Sequence, residues 1–312
     1  MDVGIDSLIA PELRPLAAEA REYLATWKAQ QAEAPDYDLR TPEGLAGMRG
    51  SLAPRGAPSG PPPQEIVARA GGSEVPVRIL VPEDGEPRGV YLDIHGGGFF
   101  MSRAARNDLK NRRIADGVGV AVVSVDYRLA PEHPWPAAPD DCETAALWLL
   151  EEAESRFGTT RVAIGGASAG GNLAVTTLLR LRKRDLLEPF LGAALQFGAW
   201  DLSARTPGGR PISTEYLIEA YLGDVDDRAH ADISPIFADL GGLPPALMIV
   251  GTEDILLEDN LAMAMRLAAA GGEVDLRLYP ECPHGFTSFP TAMAEAAVSG
   301  MESWLADRFA GA

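Results

Sequence analysis

The sequence predicts an α/β fold: a mainly parallel, eight-stranded sheet with helices on both faces. Three observations predict it. From residue 90 onward, short β-branched runs alternate with segments of helical period. One strand-to-helix junction carries the frame Gly166-Ala167-Ser168-Ala169-Gly170, a serine flanked two positions away on each side by glycine. Other predicted strands also run into glycine-rich or acidic loops, and in a doubly wound sheet such loops share one rim. A chain of 312 residues is long enough for one large domain of this kind with an appendage.

The elements follow in chain order. Within residues 11–34, Leu13, Leu16, Ala20, Tyr23, Leu24 and Trp27 fall at helical spacing, with Glu, Arg and Lys on the other face. Residues 41–63 are rich in Pro and Gly and read as a linker or mobile lid segment. Residues 64–70 and 74–81 alternate around Gly71-Gly72, which predicts an antiparallel hairpin. Strands are then expected over 90–94, 118–125, 161–165, 191–197, 246–250 and 274–279, and helices over 107–117, 140–157, 169–184, 258–270 and 291–309. Residues 200–237 break the alternation and are too long for a plain connection, so they are expected to be an inserted element.

Composition narrows the function classes. The formal net charge of −18 argues against nucleic acid or an anionic membrane as partner. No apolar run is long enough to span a bilayer, and the start Met1-Asp2-Val3-Gly4-Ile5-Asp6 lacks the basic and apolar regions of a signal peptide. Cys142 and Cys282 have no zinc-type spacing and read as two free thiols in a reducing cytoplasm. The expectation is a cytoplasmic protein with no stable membrane association.

The chemistry concentrates in three places. A serine at a sharp strand-to-helix turn is lifted clear of the sheet. Glycines two positions away are needed because side chains there would collide with neighbouring elements. The helix starting at Ala169 also points its free N–H groups at the same spot. The second place is His95-Gly96-Gly97-Gly98-Phe99-Phe100, directly after a strand. Three glycines there let backbone N–H groups face a ligand, as an acyl-transfer oxyanion requires. The loop lacks the Lys-Ser/Thr of a phosphate-binding P-loop, and His95 reads as a loop brace. The third is the pair of loops Gly251-Thr252-Glu253-Asp254 and Pro280-Glu281-Cys282-Pro283-His284-Gly285-Phe286. Ser168, Asp254 and His284 then share one rim in the chain order Ser…Asp…His, with Glu253 as the rival acid.

These motifs, together with the run from Asp126 to Ala138 (Asp-Tyr-Arg-Leu-Ala-Pro-Glu-His-Pro-Trp-Pro-Ala-Ala), resemble the hormone-sensitive-lipase-like, bacterial family IV group of α/β-hydrolase-fold esterases. The resemblance runs from about residue 64 to the C-terminus. It implies an α/β-hydrolase fold with a helical cap. It assigns the oxyanion hole to the N–H groups of Gly97, Gly98 and Ala169, with His95, Gly96, Gly166 and Gly170 as motif support. It places the acid at Asp254. It divides the chain into 1–55 as the N-terminal part of a cap, 56–199 as core, 200–237 as cap insertion and 238–312 as core. It also implies a homodimer. Two positions depart from the family pattern: Ala167 stands where an acidic residue is common, and Asp254-Ile255-Leu256-Leu257-Glu258-Asp259 replaces Asp-Pro-Leu-x-Asp-Glu.

The expected activity is that of a serine carboxylic-ester hydrolase on small-molecule esters of short to medium acyl chain, with no metal or organic cofactor needed. The same groups could attack an amide, formamide or lactone. A ligand-binding protein that has lost turnover is the third reading, and such a protein would be expected to have a damaged triad, whereas His284 is present.

Overall fold

The computed structural model describes residues 4–52, 56, 58–213 and 215–311. The expected start at Met1-Asp2-Val3 and the boundary between residues 55 and 56 lie outside the described residues or at their edge.

The hairpin forms as expected. β1 (Gln64–Ala70) and β2 (Ser73–Leu80) pair antiparallel, and Ala70 faces Ser73 across Gly71-Gly72. Both glycines have positive φ, 57° and 83°, which a two-residue turn matched to strand twist requires. β3 (Val90–Ile94), β4 (Ala121–Val125), β5 (Val162–Ala167), β6 (Phe190–Gln196), β7 (Ala246–Gly251) and β8 (Val274–Tyr279) complete an 8-stranded sheet in the order β1-β2-β4-β3-β5-β6-β7-β8. β2 meets β4 antiparallel, and every later pairing is parallel.

The central strands are buried on both faces, so they read as continuous apolar runs. Side chains still alternate. Leu92, Val123 and Ile164 join one core with Leu149 of α4 (Ala137–Phe157), Leu178 of α5 (Ala169–Arg182) and Met263 of α8 (Leu257–Ala269). Tyr91, Val122 and Ala163 join the other with Ile114 of α3 (Asp108–Ile114) and Leu305 of α9 (Ala292–Ala310). Each fully buried Leu or Ile contributes about 1.5–3 kcal/mol.

Four expectations are corrected. The N-terminal helix is not one element. Residues Pro11–Leu16 form a 3-10 turn and α1 spans Ala17–Ala32, because Pro15 lacks the N–H that an α-helix would use there. The segment 41–63 is not all linker, since α2 covers Pro42–Ser51. Thr41 caps it by accepting from the Gly44 N–H at 3.1 Å, with Pro42 in its first turn. Two of its glycines have packing reasons: a Cβ on Gly44 would come within 2.1 Å of the Asp38 carbonyl, and one on Gly47 within 2.5 Å of the Tyr37 ring. The strand expected from residue 118 starts at Ala121. Residues Ala115–Gly119 instead close a π turn, in which the Val120 N–H donates to the Ala115 carbonyl at 3.1 Å. Finally, α4 begins at Ala137, ahead of the expected residue 140.

Two segments flank the sheet rim. α1 buries Ala20 and Leu24 and lays Tyr23 and Trp27 against Phe289, at ring separations of 4.9 and 5.5 Å. α2 buries Leu45, and Arg49 donates to the carbonyls of Phe100 and Ala130. Within 200–237 lie α6 (Gly209–Ser213) and α7 (Tyr216–Leu222). Tyr221 of α7 stacks on Phe99 at 3.9 Å, and Tyr216 meets Phe100 edge-on at 5.8 Å.

Candidate active site

Ser168 sits between β5 and α5 with φ 56° and ψ −120°, a strained conformation for a residue with a Cβ. The strain is held from outside: the Ser168 N–H donates to the Gln196 carbonyl on β6 at 2.9 Å. The flanking glycines let β5 and α5 close on β3. A Cβ on Gly166 would lie 2.4 Å from the Ile94 carbonyl oxygen, and one on Gly170 only 2.0 Å from it. No heavier residue fits either place.

The acid and histidine loops are stitched together. The Glu253 N–H donates to the Cys282 carbonyl at 3.0 Å, and the Glu281 N–H donates to Thr252 Oγ1 at 3.0 Å. Gly251 permits this approach, since its Cβ would come within 2.0 Å of the Cys282 oxygen. The register leaves Glu253 exposed and turns Asp254 inward. His284 Nδ1 lies 3.0 Å from each Asp254 carboxylate oxygen, and its Nε2 lies 2.9 Å from Ser168 Oγ. The Leu256 N–H also donates to Asp254 Oδ1 at 2.8 Å, and the Asp254 side chain is fully covered while the imidazole is 31% exposed. The histidine is therefore tied to a fully buried carboxylate at one nitrogen and to the serine at the other, with part of its ring exposed.

The loop after β3 lies beside Ser168. Gly97 and Gly98 have φ of 116° and 61°. Among the described residues, the N–H groups of Gly97, Gly98 and Ala169 donate to no protein acceptor. Three free donors next to a serine Oγ are the arrangement a developing oxyanion needs. A Cβ on Gly96 would meet the Ala167 carbonyl at 2.6 Å, so the loop is seated against the elbow. Leu217 of α7 lies over Gly98, with Cδ1 2.6 Å from where a Cβ would stand.

His95 braces this loop. Its ring stacks on Tyr127 at 4.1 Å, its Nδ1 lies 2.8 Å from the Gly96 carbonyl, and its own carbonyl accepts from the Tyr127 hydroxyl at 2.9 Å. Burial pushes its pKa down, favouring the neutral imidazole. Asp93, two residues earlier, was not singled out by the sequence pattern. It is wholly buried and accepts from Lys110, Asn107, Asn111 and Ser124 at 2.8–2.9 Å. Burial alone would raise its pKa, but Lys110 and the amide donors outweigh it and hold the carboxyl below its usual range. Among the described residues no three His, Cys, Asp or Glu side chains converge to hold a metal ion.

A parallel sheet with a strained serine elbow, a glycine donor loop and a Ser-His-Asp chain across its rim defines an α/β hydrolase. The chain belongs to the alpha/beta hydrolase fold family, whose sequence profile matches residues 91–288. It is 35% identical over 252 residues to the carboxylesterase NlhH of Mycobacterium tuberculosis, covering 75% of this chain and 78% of that one. It is also 35% identical over 229 residues to the carboxylic ester hydrolase LipN of the same organism, covering 68% of this chain and 61% of LipN. A solved hormone-sensitive lipase from a metagenome library superposes with a TM-score of 0.80 at 30% identity, over 93% of this chain and 98% of that one. The chain thus sits among the ester hydrolases of its fold and in their hormone-sensitive-lipase-like group. No helix among the described residues is long and apolar enough to cross a membrane.

Proposed function

We propose that this protein hydrolyses carboxylic esters of short to medium acyl chain through an acyl-enzyme on Ser168. The observation that carries the reading is the unbroken chain from Ser168 Oγ through His284 to Asp254, at 2.9 and 3.0 Å, beside three free backbone N–H groups. The names of the similar proteins support the same bond type.

Each residue then has one role. His284 Nε2 accepts the Ser168 proton as Oγ attacks the ester carbonyl. The buried Asp254 carboxylate holds Nδ1–H toward itself and stabilises the imidazolium that forms. Gly97, Gly98 and Ala169 donate to the oxyanion of the tetrahedral intermediate. His284 protonates the leaving alcohol, and water then attacks the acyl-enzyme by the same route. Residues 1–55 and 200–237 act as a cap, with α2 and α7 resting on the loop after Gly98. The two buried free thiols fit the cytoplasmic setting expected of the chain. A homodimer completes the reading, and light scattering on the purified protein tests it.

The deciding experiment is a panel of p-nitrophenyl esters from acetate to decanoate with matched anilides and lactones. Fastest turnover on acetate to hexanoate esters is the expected result, with a fluorophosphonate labelling Ser168 stoichiometrically. Preference for the anilides or lactones would replace the ester reading. Absence of turnover and of labelling would leave a binding protein.

A further inference from the structure

The turn that ends β6 touches Ser168 and His284 and reaches Asp254 through Asn260 and Leu256. Gln196 supplies the carbonyl that holds the Ser168 N–H, and its side-chain oxygen accepts from Thr287 Oγ1 at 2.9 Å, on the loop that follows His284. Gly198 exchanges two hydrogen bonds with the Asn260 side chain, each 3.1 Å, and Asn260 also donates to the Leu256 carbonyl at 2.9 Å. Leu256 is the residue whose N–H holds Asp254.

Phe197 lies between these two residues and has φ 37°, in the left-handed region that favours glycine. Its N–H is tied to the Ile249 carbonyl at 2.7 Å, and its side chain is buried. The ring meets the His284 imidazole at 5.0 Å and an interplanar angle of 68°, and it is backed by Phe286 at 6.1 Å. Phe286 in turn packs on Tyr279 at 5.2 Å. A bulky residue in such a conformation persists only where its surroundings enforce it, and such sites cluster at functional positions. The imidazole has hydrogen bonds at its two nitrogens, and these alone leave it free to swing about χ1 and χ2 within the tolerance of those bonds. An aromatic ring packed edge-on against it limits that swing.

We propose that Phe197 is a positioning residue for His284: its ring fixes the imidazole plane so that Nε2 stays aimed at Ser168 Oγ. The inference rests on the reading of Ser168 and His284 as nucleophile and base. Phe197 touches no reacting atom. It acts through the histidine, and its effect belongs in kcat, where misplacement of a reacting group by a fraction of an ångström is felt.

Phe197→Leu removes the flat ring and keeps an apolar side chain. Its kcat on p-nitrophenyl butyrate is expected to fall about 10- to 100-fold with KM held within about twofold. The downfield proton resonance of His284 Nδ1–H is expected to broaden or vanish. Phe197→Tyr, which restores an aromatic ring, is expected to recover most of kcat and the resonance. A merely structural role would lower Tm and leave kcat and the resonance of the folded protein in place. A folded Phe197→Leu protein with kcat within about twofold of the parent and a sharp resonance overturns the proposal. Where Phe197→Leu fails to fold, Phe197→Met is read by the same two measurements. Ser168→Ala run alongside separates the two claims, because activity surviving in that variant overturns the nucleophile reading itself, whatever Phe197 does.

Discussion

Ser168 is held through its backbone N–H by Gln196 on β6, and Asp254 by Leu256 of its own loop and by His284, and single substitutions isolate their roles. Ser168→Ala keeps the elbow and removes Oγ, so kcat is expected to fall about 10⁴-fold or more with the fold intact by circular dichroism. Asp254→Asn leaves His284 facing an amide. The wrong tautomer and lost charge stabilisation are expected to cost about 10³- to 10⁴-fold. Glu253→Gln, at an exposed side chain while Asp254 holds His284, is expected to change kcat/KM by less than about twofold. A larger loss there than at Asp254 would reverse the assignment of the acid.

At the scale of elements, α7 and the α3–α9 contact give separable expectations. Leu217 of α7 packs over Gly98, the proposed oxyanion donor, and therefore limits what can stand beside it. Leu217→Ala is expected to raise the hexanoate-to-acetate ratio of kcat/KM severalfold, since a few methylenes in an apolar pocket are worth about 10-fold and upward. Arg113 ties α3 to α9 through Glu295 and Glu302, with N–O distances of 2.5 Å. Its hydrogen bonds, with one from Ser299, pull the Glu295 carboxyl from 4.5 down to about 2. A depressed folded-state value stabilises the protein fully above about pH 4.5, and that stabilisation is lost as pH falls through about 2. The Tm advantage of the parent over Glu295→Gln is therefore expected at pH 7 and should narrow steadily below about pH 4.5. The pair is exposed, so the advantage is small.

For the whole molecule, the N-terminal segment joins the rear of the sheet to its rim. α1 covers Phe289 and α9, Arg21 pairs with Glu281 on the histidine loop, and α2 reaches the carbonyl of Phe100 beside the glycine loop. Deleting residues 1–40 uncovers an apolar strip on α9 and removes the support of the histidine loop. The truncated protein is expected to melt several degrees lower, to aggregate more readily and to show a raised KM with blunted chain-length preference. It should still turn over p-nitrophenyl acetate, because Ser168, Asp254 and His284 lie outside the deleted stretch. Acetate-to-hexanoate selectivity of the soluble truncation, measured beside its Tm, checks both halves of this expectation.

The sequence by itself determined the alternation of strands and helices, the hairpin turn at Gly71-Gly72, the serine elbow and the glycine loop. Each is written in residues that are neighbours in the chain, through period, turn chemistry or the need for a missing Cβ. It also put Ser168, Asp254 and His284 on one rim, because strand polarity fixes where the loops emerge. Tertiary structure decided what depends on contacts between distant segments. Gly44 and Gly47 of α2 looked like linker residues and are packing sites for Asp38 and Tyr37. The family resemblance favours Asp254 over Glu253, but composition and period do not distinguish the two. The choice follows from the hydrogen bond between Glu253 and Cys282 and from the close approach at Gly251. Phe197, Asn260 and Asp93 carry no motif, and their partners lie on other strands, helices and loops. Local propensity is encoded where it acts, whereas the aim of a side chain is set by whatever the folded chain packs against it.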